Sequence, residues 1–235
     1  PIVGRDNVSL RYVPEGTITL PQKRPVKVKS FYMDEMPVTN LQYVSFLNQT
    51  ISRVQIENNV VVGDKKIWLM LGEVTEGYDP IIYANGDFAV KHPGHAACPD
   101  LRVTAFGASA YAQFYEKRLP TDIEWIYAYQ EAKETFNPLS EKACERKPIP
   151  TPVILLDANQ LGIKGLNQCI NEWSSQFLDS QNDAIKESRE LFSVIGNVWN
   201  KEEKAVWYST VERQPWEAFE EVGFRTVIDI VENDL

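Results

Sequence analysis

The sequence predicts a loop-rich α+β domain, and three observations carry that prediction. Two capping boxes mark helix starts far apart in the chain, at Thr39/Gln42 and Thr121/Glu124. Short runs of alternating apolar residues, of strand length, fill the segments between and around them. Gly, Pro and Asn-Gly punctuation separates those runs.

In chain order, residues 10–20 and 25–33 read as strands with alternating apolar positions. Lys23, Arg24, Lys27 and Lys29 alternate around Val26 and Val28, the pattern of a solvated strand face. At Thr39 the hydroxyl can accept from the Gln42 amide while the Gln42 side chain reaches back. A helix therefore runs from there to about Asn48, offering Leu41, Val44, Phe46 and Leu47 for burial. In residues 50–95, Val60-Val61-Val62 and Ile67 to Leu71 read as strands around a Gly63-Asp64 turn. Ile81-Ile82-Tyr83 and Phe88-Ala89-Val90 flank Asn85-Gly86, a hairpin signal. A helix from about Ala105 to Tyr115 follows, with Ala108, Ala110 and Ala112 allowing close packing. Lys117 to Trp125 is the densest stretch. Pro120 forces Leu119 into an extended conformation and ends the preceding helix. The Thr121/Glu124 box opens a new helix at Asp122, with Ile123, Trp125, Ile126 and Tyr129 for its buried face. Arg118 brings a forked guanidinium suited to tying loop carbonyls together. Residues 135–153, with Pro138, Pro148, Pro150 and Pro152, read as a loop, and 180–192 as a polar, solvated helix. From Ala205 to Ile230 the chain returns to aromatic and β-branched strand character.

A chain of 235 residues can bury one large core, so 1–235 is read as a single domain. A net charge of −9 argues against nucleic acid or an anionic membrane as the main partner. No apolar run approaches a membrane span. The chain starts at Pro1, which fits a mature form or an excised piece of a longer protein and leaves bacterial cytoplasm and periplasm both open. Cys98, Cys144 and Cys169 are far apart, form no CxxC pair and give no zinc pattern, and their redox state is open. His92 and His95 flank Pro93-Gly94, so they read as a solvated loop rather than a helical ligand face. No GxSxG, P-loop or GxGxxG word occurs. Asp34/Glu35 and Glu220/Glu221 read as solvated charges, because an acid/base pair needs two carboxyls converging from different environments.

Lys117 to Trp125 also resembles the "(G)KRLPTEAEWEYA" word of formylglycine-generating-enzyme-like (sulfatase-modifying factor) domains. Further landmarks follow in that family's order: Val13 to Thr17, Phe31 to Tyr43, Pro99 to Tyr111, Leu161-Gly162-Ile163, Asn171-Glu172-Trp173 and Gly223-Phe224-Arg225. The region 50–95 is the least family-like. The resemblance implies a C-type-lectin-like α+β fold, with Arg118, Thr121, Glu124, Trp125 and Arg225 as its architecture. Active members of that family oxidise a substrate cysteine with oxygen, holding copper(I) between two thiolates near the C-terminus. One of these follows "GFR" and the other follows "RGGSW". Here Thr226 follows Gly223-Phe224-Arg225, Val206 to Arg213 contains no cysteine, and Ile195 to Trp199 stands in place of "RGGSW". Copper is therefore not expected. Some relatives use a three-histidine iron site, which two histidines cannot build. The family's calcium loop is altered too: Gly165 replaces an Asp, Gln168 and Ile170 stand at carbonyl-donating positions, and Glu172 is retained. Glu172 is thus a candidate calcium ligand, weighed against a core turn in which it bonds loop amides and Trp173 is buried.

These readings favour a non-catalytic binding, accessory or regulatory module for a protein or peptide partner. Its candidate contacts are Trp199, Trp207, Tyr208, Arg213 and Trp216, since aromatics and Arg make strong anchors; core packing is the competing reading for each aromatic. The alternative is an oxidase, or a maturation factor for a redox enzyme, with an unrecognised metal site. The domain also fits as one part of a longer chain or complex, docking through 50–95.

Overall fold

The computed structural model describes residues 1–19, 25–130, 149–166, 171–176, 192–200 and 205–230, with the backbone alone for 197–200 and 205–208. The start and end of the described chain share one sheet. Strands β1 (Ile2–Val3), β2 (Ser9–Val13), β5 (Phe31–Asp34) and β15 (Val227–Asp229) lie in the order β1-β2-β5-β15. Strands β3 (Gly16–Ile18) and β4 (Val26–Val28) form a separate hairpin. Each strand expected in 10–33 is therefore two strands. The first break falls at Pro14, which has no N–H for a ladder. Lys27 and Lys29 are exposed around buried Val28, as a solvated face requires; Lys23 and Arg24 lie outside the described residues.

Helix α1 (Asn40–Gln49) opens on the expected capping box. The Thr39 N–H donates to Gln42 Oε1 at 2.8 Å and the Gln42 N–H to Thr39 Oγ1 at 3.3 Å. Tyr43, Val44, Phe46 and Leu47 are buried. Leu41, expected inside, is 57% exposed, because it falls on the helix side away from Tyr43 and Leu47.

Residues 50–95 build β6 (Val54–Glu57), β7 (Val60–Gly63), β8 (Lys66–Met70), β9 (Ile81–Ala84) and β10 (Asp87–Val90). Three hairpin turns share one device, a pair of left-handed residues that matches strand twist. Their φ values are 49° and 66° at Asn58-Asn59, 49° and 65° at Asp64-Lys65, and 56° and 92° at Asn85-Gly86. Gly63 ends β7 instead of turning; a Cβ there would lie 2.4 Å from the Trp68 ring. Asn48 of α1 clamps β10, donating to the Phe88 carbonyl at 2.9 Å and accepting its N–H at 2.8 Å.

Helix α2 (Ala105–Phe114) is capped by Thr104. Helix α3 (Asp122–Gln130) has the second box: the Thr121 N–H donates to Glu124 Oε2 at 2.8 Å and the Glu124 N–H to Thr121 Oγ1 at 3.1 Å. The remaining strands are β11 (Asn171–Ser175), β12 (Phe192–Asn200), β13 (Ala205–Arg213) and β14 (Val222–Gly223), ordered β13-β12-β11-β14. The readings for 135–148 and 180–191 lie outside the described residues.

Apolar side chains gather into two main cores. The first joins Tyr43, Phe46, Trp68, Tyr111, Trp173 and Phe224. The second joins Val13, Phe31, Met33, Trp125, Ile195 and Val227. Strand β12 feeds both, with Val194 in the first core and Ile195 in the second, and β11 adds Trp173 to the first, so polar groups on this seam are cut off from water.

Candidate functional site

The seam is held by Glu172 and Arg225, whose side chains are both fully buried. Strand β11 runs parallel to β14, with Glu172 opposite Gly223, which brings the carboxylate to the residue two places further on. Arg225 Nε donates to Glu172 Oε2 and Nη2 to Oε1, each at 2.7 Å. Trp125 Nε1 adds a bond to Oε2 at 2.9 Å, and Arg225 Nη2 also reaches the Lys164 carbonyl at 2.9 Å. Planar guanidinium suits two-point recognition of a carboxylate, and burial makes every donor count. Glu172 was expected to bond loop amides; its partners are Arg225 and Trp125 instead.

Beside it lies a second buried network. Lys117 Nζ donates to Asp6 Oδ2 at 2.7 Å and to Asp34 Oδ1 at 2.8 Å. Tyr111 donates its hydroxyl proton to Asp6 at 2.9 Å. Asp34 Oδ2 receives the Thr226 N–H at 2.8 Å and the Thr226 hydroxyl at 2.5 Å. Burial pushes the Asp34 carboxyl above its ordinary range, against the pull of the Lys117 ammonium. Asp34 was expected to be a solvated charge and is fully buried. A signal existed: an acid ending the apolar run Phe31-Tyr32-Met33 needs an inward partner. Lys117 carried no such signal, since it looks like any basic residue before Arg118. Glu35 is paired with Arg11, while Glu220 and Glu221 are exposed as expected.

Arg118 is tied mainly to carboxylates rather than to loop carbonyls. It donates to Glu124 at 2.7 Å through both Nη1 and Nη2, to Asp229 through Nε and Nη2, and to one carbonyl, that of Leu119, at 3.1 Å. Its backbone pairs with Val227, and Ser175 N–H donates to the Pro120 carbonyl at 2.9 Å. The Lys117–Trp125 stretch thus joins β15 to β11.

Among the described residues, neither copper(I) nor calcium finds a fitting set of ligands. At the position after Gly223-Phe224-Arg225, Thr226 offers a hydroxyl whose proton is given to Asp34, not a thiolate. Cys98 is buried and free, with Sγ 3.3 Å from the Pro150 carbonyl; burial pushes its thiol up. Cys144 and Cys169 lie outside the described residues. For calcium, Glu172 has both oxygens occupied and faces a guanidinium, which repels a dication. Gln168 and Ile170 lie outside the described residues. His92 and His95 sit on a short 3-10 turn, their rings 5.3 Å apart.

The five candidate contacts do not form one cluster. Trp199 is paired with Val206 and Trp207 with Val198 at one end of the β12–β13 ladder, next to Tyr208; their side chains lie outside the described residues. Arg213 pairs with Phe192 at the other end, six positions along β13 from Trp207, or about 20 Å. There Trp216 is 54% exposed, and Arg213 lies over the Phe219 ring at 5.2 Å.

Comparison with known proteins agrees with this architecture. Residues 7–230 match the Sulfatase-modifying factor enzyme 1-like domain. The chain is 29% identical over 167 residues to serine/threonine-protein kinase Pkn1 of Chlamydia trachomatis, covering 68% of this chain and 24% of the kinase. It is 30% identical over 150 residues to that of Chlamydia caviae, covering 61% and 22%. The chain therefore spans about a quarter of the length of these relatives. Among solved structures it resembles CarF, at TM-score 0.60 and 13% identity over 95% of this chain and 99% of CarF. It also resembles PvdO from Pseudomonas aeruginosa, at 0.58 and 16% over 96% of each chain. Both likenesses concern the fold: a loop-rich α+β scaffold of the formylglycine-generating-enzyme type. Among the described residues no helix is long and apolar enough to cross a membrane. With the family match running from before β2 to the end of β15, the chain belongs to the sulfatase-modifying factor enzyme 1-like domain family.

Proposed function

We propose that this domain is a non-catalytic binding module that recognises a protein or peptide partner and works as part of a longer chain or complex. The observation that carries the reading is Thr226. Where copper-binding relatives place a thiolate, this chain has a buried hydroxyl committed to Asp34, within a network closed by Lys117 and Asp6. An architectural bond has taken the place of a ligand. The similarity to kinases about three times as long supports a regulatory or accessory role beside another domain. The face that presents Trp216 and Arg213 is the contact surface in this reading: an exposed aromatic beside a guanidinium makes an anchor at low entropic cost.

The test is an anaerobic titration of the purified domain with Cu(I) and Fe(II), followed by Ca²⁺. The expected result is no stoichiometric tight complex with any of them. A tight one-to-one Cu(I) or Fe(II) complex would overturn the reading and restore an oxidase.

A further inference from the structure

Three buried acceptor oxygens meet no donor where the chain crosses itself before α1. Thr39 bridges Pro99 in antiparallel fashion. The Asn40 N–H donates to the Cys98 carbonyl at 3.0 Å and the Asp100 N–H to the Val38 carbonyl at 2.9 Å. Across that bridge Asn40 stands opposite Cys98 and Val38 opposite Asp100, which makes Asn40 and Asp100 diagonal neighbours on one face. Both side chains are fully buried. The Asn40 amide is oriented by its Nδ2, which donates to the Tyr78 hydroxyl at 2.9 Å and the His95 carbonyl at 2.8 Å. That leaves Asn40 Oδ1 and both Asp100 carboxyl oxygens without a partner.

An ionised carboxylate in this position would hold an uncompensated charge against another acceptor. A neutral acid would bring an O–H, and the acceptor it needs is Asn40 Oδ1, so one proton satisfies two stranded groups. We propose that Asp100 is a proton-dependent latch: in the folded domain it keeps its proton and donates it to Asn40 Oδ1, holding the start of α1 against the Cys98–Asp100 segment.

The groups around it agree. Tyr43 from α1 and Tyr78 from the segment between β8 and β9 lie close enough for an Asp100 charge to raise both phenols, after the larger effect of burial. Cys98 is on the same segment with its thiol raised by burial. His95 packs its ring on Tyr78 at 4.8 Å and is held below its usual range by burial and by His92. The neighbouring Asp79 is neutralised by Lys91 at 2.7 Å. Burial pushes the Asp100 carboxyl well above the carboxylate range. An acid raised on folding gives its full stability below its unfolded value, near 3.9. That contribution then declines as pH rises toward the folded value. The latch therefore loosens on alkalinisation.

The test compares melting temperatures of the wild-type domain and Asp100→Asn between pH 4.5 and 8.5. The variant keeps the shape and supplies a permanent N–H donor. Wild type is expected to lose roughly 3 °C per pH unit relative to the variant. Carbon-13 NMR of the wild type, which needs no variant to fold, is expected to show the Asp100 carboxyl protonated through pH 6. A carboxyl titrating near 4 would overturn the proposal. So would an Asp100→Asn penalty that is the same at every pH. A melting-point rise with Na⁺, K⁺ or Ca²⁺ that Asp100→Asn abolishes would also overturn it and give the site to a cation.

Discussion

Arg225 and Arg118 make nearly the same bond in opposite surroundings. Each reaches one glutamate with two donors at 2.7 Å. Arg225 and Glu172 are wholly buried between the two cores, whereas the Arg118, Glu124 and Asp229 side chains are 35%, 14% and 67% exposed. Geometry does not rank these contacts, because water can replace a lost partner only at the second. Removing half of a buried pair strands a charge, while an exposed pair gives back most of its Coulomb energy as solvation. The functional words of the chain have diverged around the buried pair, and its surroundings leave it little freedom to follow.

The largest expected effect therefore comes from Glu172→Ala, which leaves Arg225 and Trp125 without their acceptor. A loss of about 3–5 kcal/mol in urea unfolding is expected. A loss near 1 kcal/mol would mean that water enters the seam and that the two arginines are alike after all. Lys117→Met comes next, at about 3 kcal/mol. It strands Asp6 and Asp34 together, yet one of them can take a proton. Its penalty should shrink as pH falls, since the Asp34 carboxyl, already raised by burial, is then neutralised more easily. A penalty independent of pH would show that Lys117 acts by packing alone.

The exposed side of the comparison carries smaller numbers. Thr121→Ala removes a cap and should cost about 1 kcal/mol. Asp229→Asn should cost no more than about 0.5 kcal/mol. The hydrogen bond from Arg118 holds the Asp229 carboxyl below its ordinary range. Its contribution is thus present at neutral pH and disappears as pH falls through that lowered value. Wild type and Asp229→Asn should accordingly converge in acid; a gap that widens there would contradict the pairing.

Much of this contrast was legible in the sequence. Both capping boxes, the Asn85-Gly86 turn and the helix at 105–114 follow from local rules and needed no tertiary context. The Gly63-Asp64 turn falls one residue later, at Asp64-Lys65, because a left-handed Lys is set by the strands it joins, and Asn58-Asn59 was not singled out. The buried charges were harder still. Asp34 stands 83 positions from Lys117 and 192 from Thr226, and no periodicity links them. Asp100 carries no local sign of burial, and only the Thr39–Pro99 crossing places it inside. The candidate contacts were chosen by residue type, which cannot tell the two ends of a hairpin apart.

That last point gives the smallest effect on stability and the sharpest test of the contact surface. Trp216 lies outside both cores and is 54% exposed, whereas Trp125 is fully buried and bonded to Glu172. Truncating an exposed ring uncovers little that was dry, so Trp216→Ala should change unfolding free energy by less than about 0.5 kcal/mol. Arg213→Ala should do the same, since the guanidinium over Phe219 is itself exposed. If this end of the ladder is the contact surface, the double variant should weaken partner association about tenfold or more, with the fold intact. A change at Trp207 and Tyr208 should then leave that association unmoved, because about 20 Å of strand separates them from Arg213. Equal losses at both ends would mean that the partner lies along the whole hairpin, and a stability loss at Trp216 would place that ring in the architecture with Trp125.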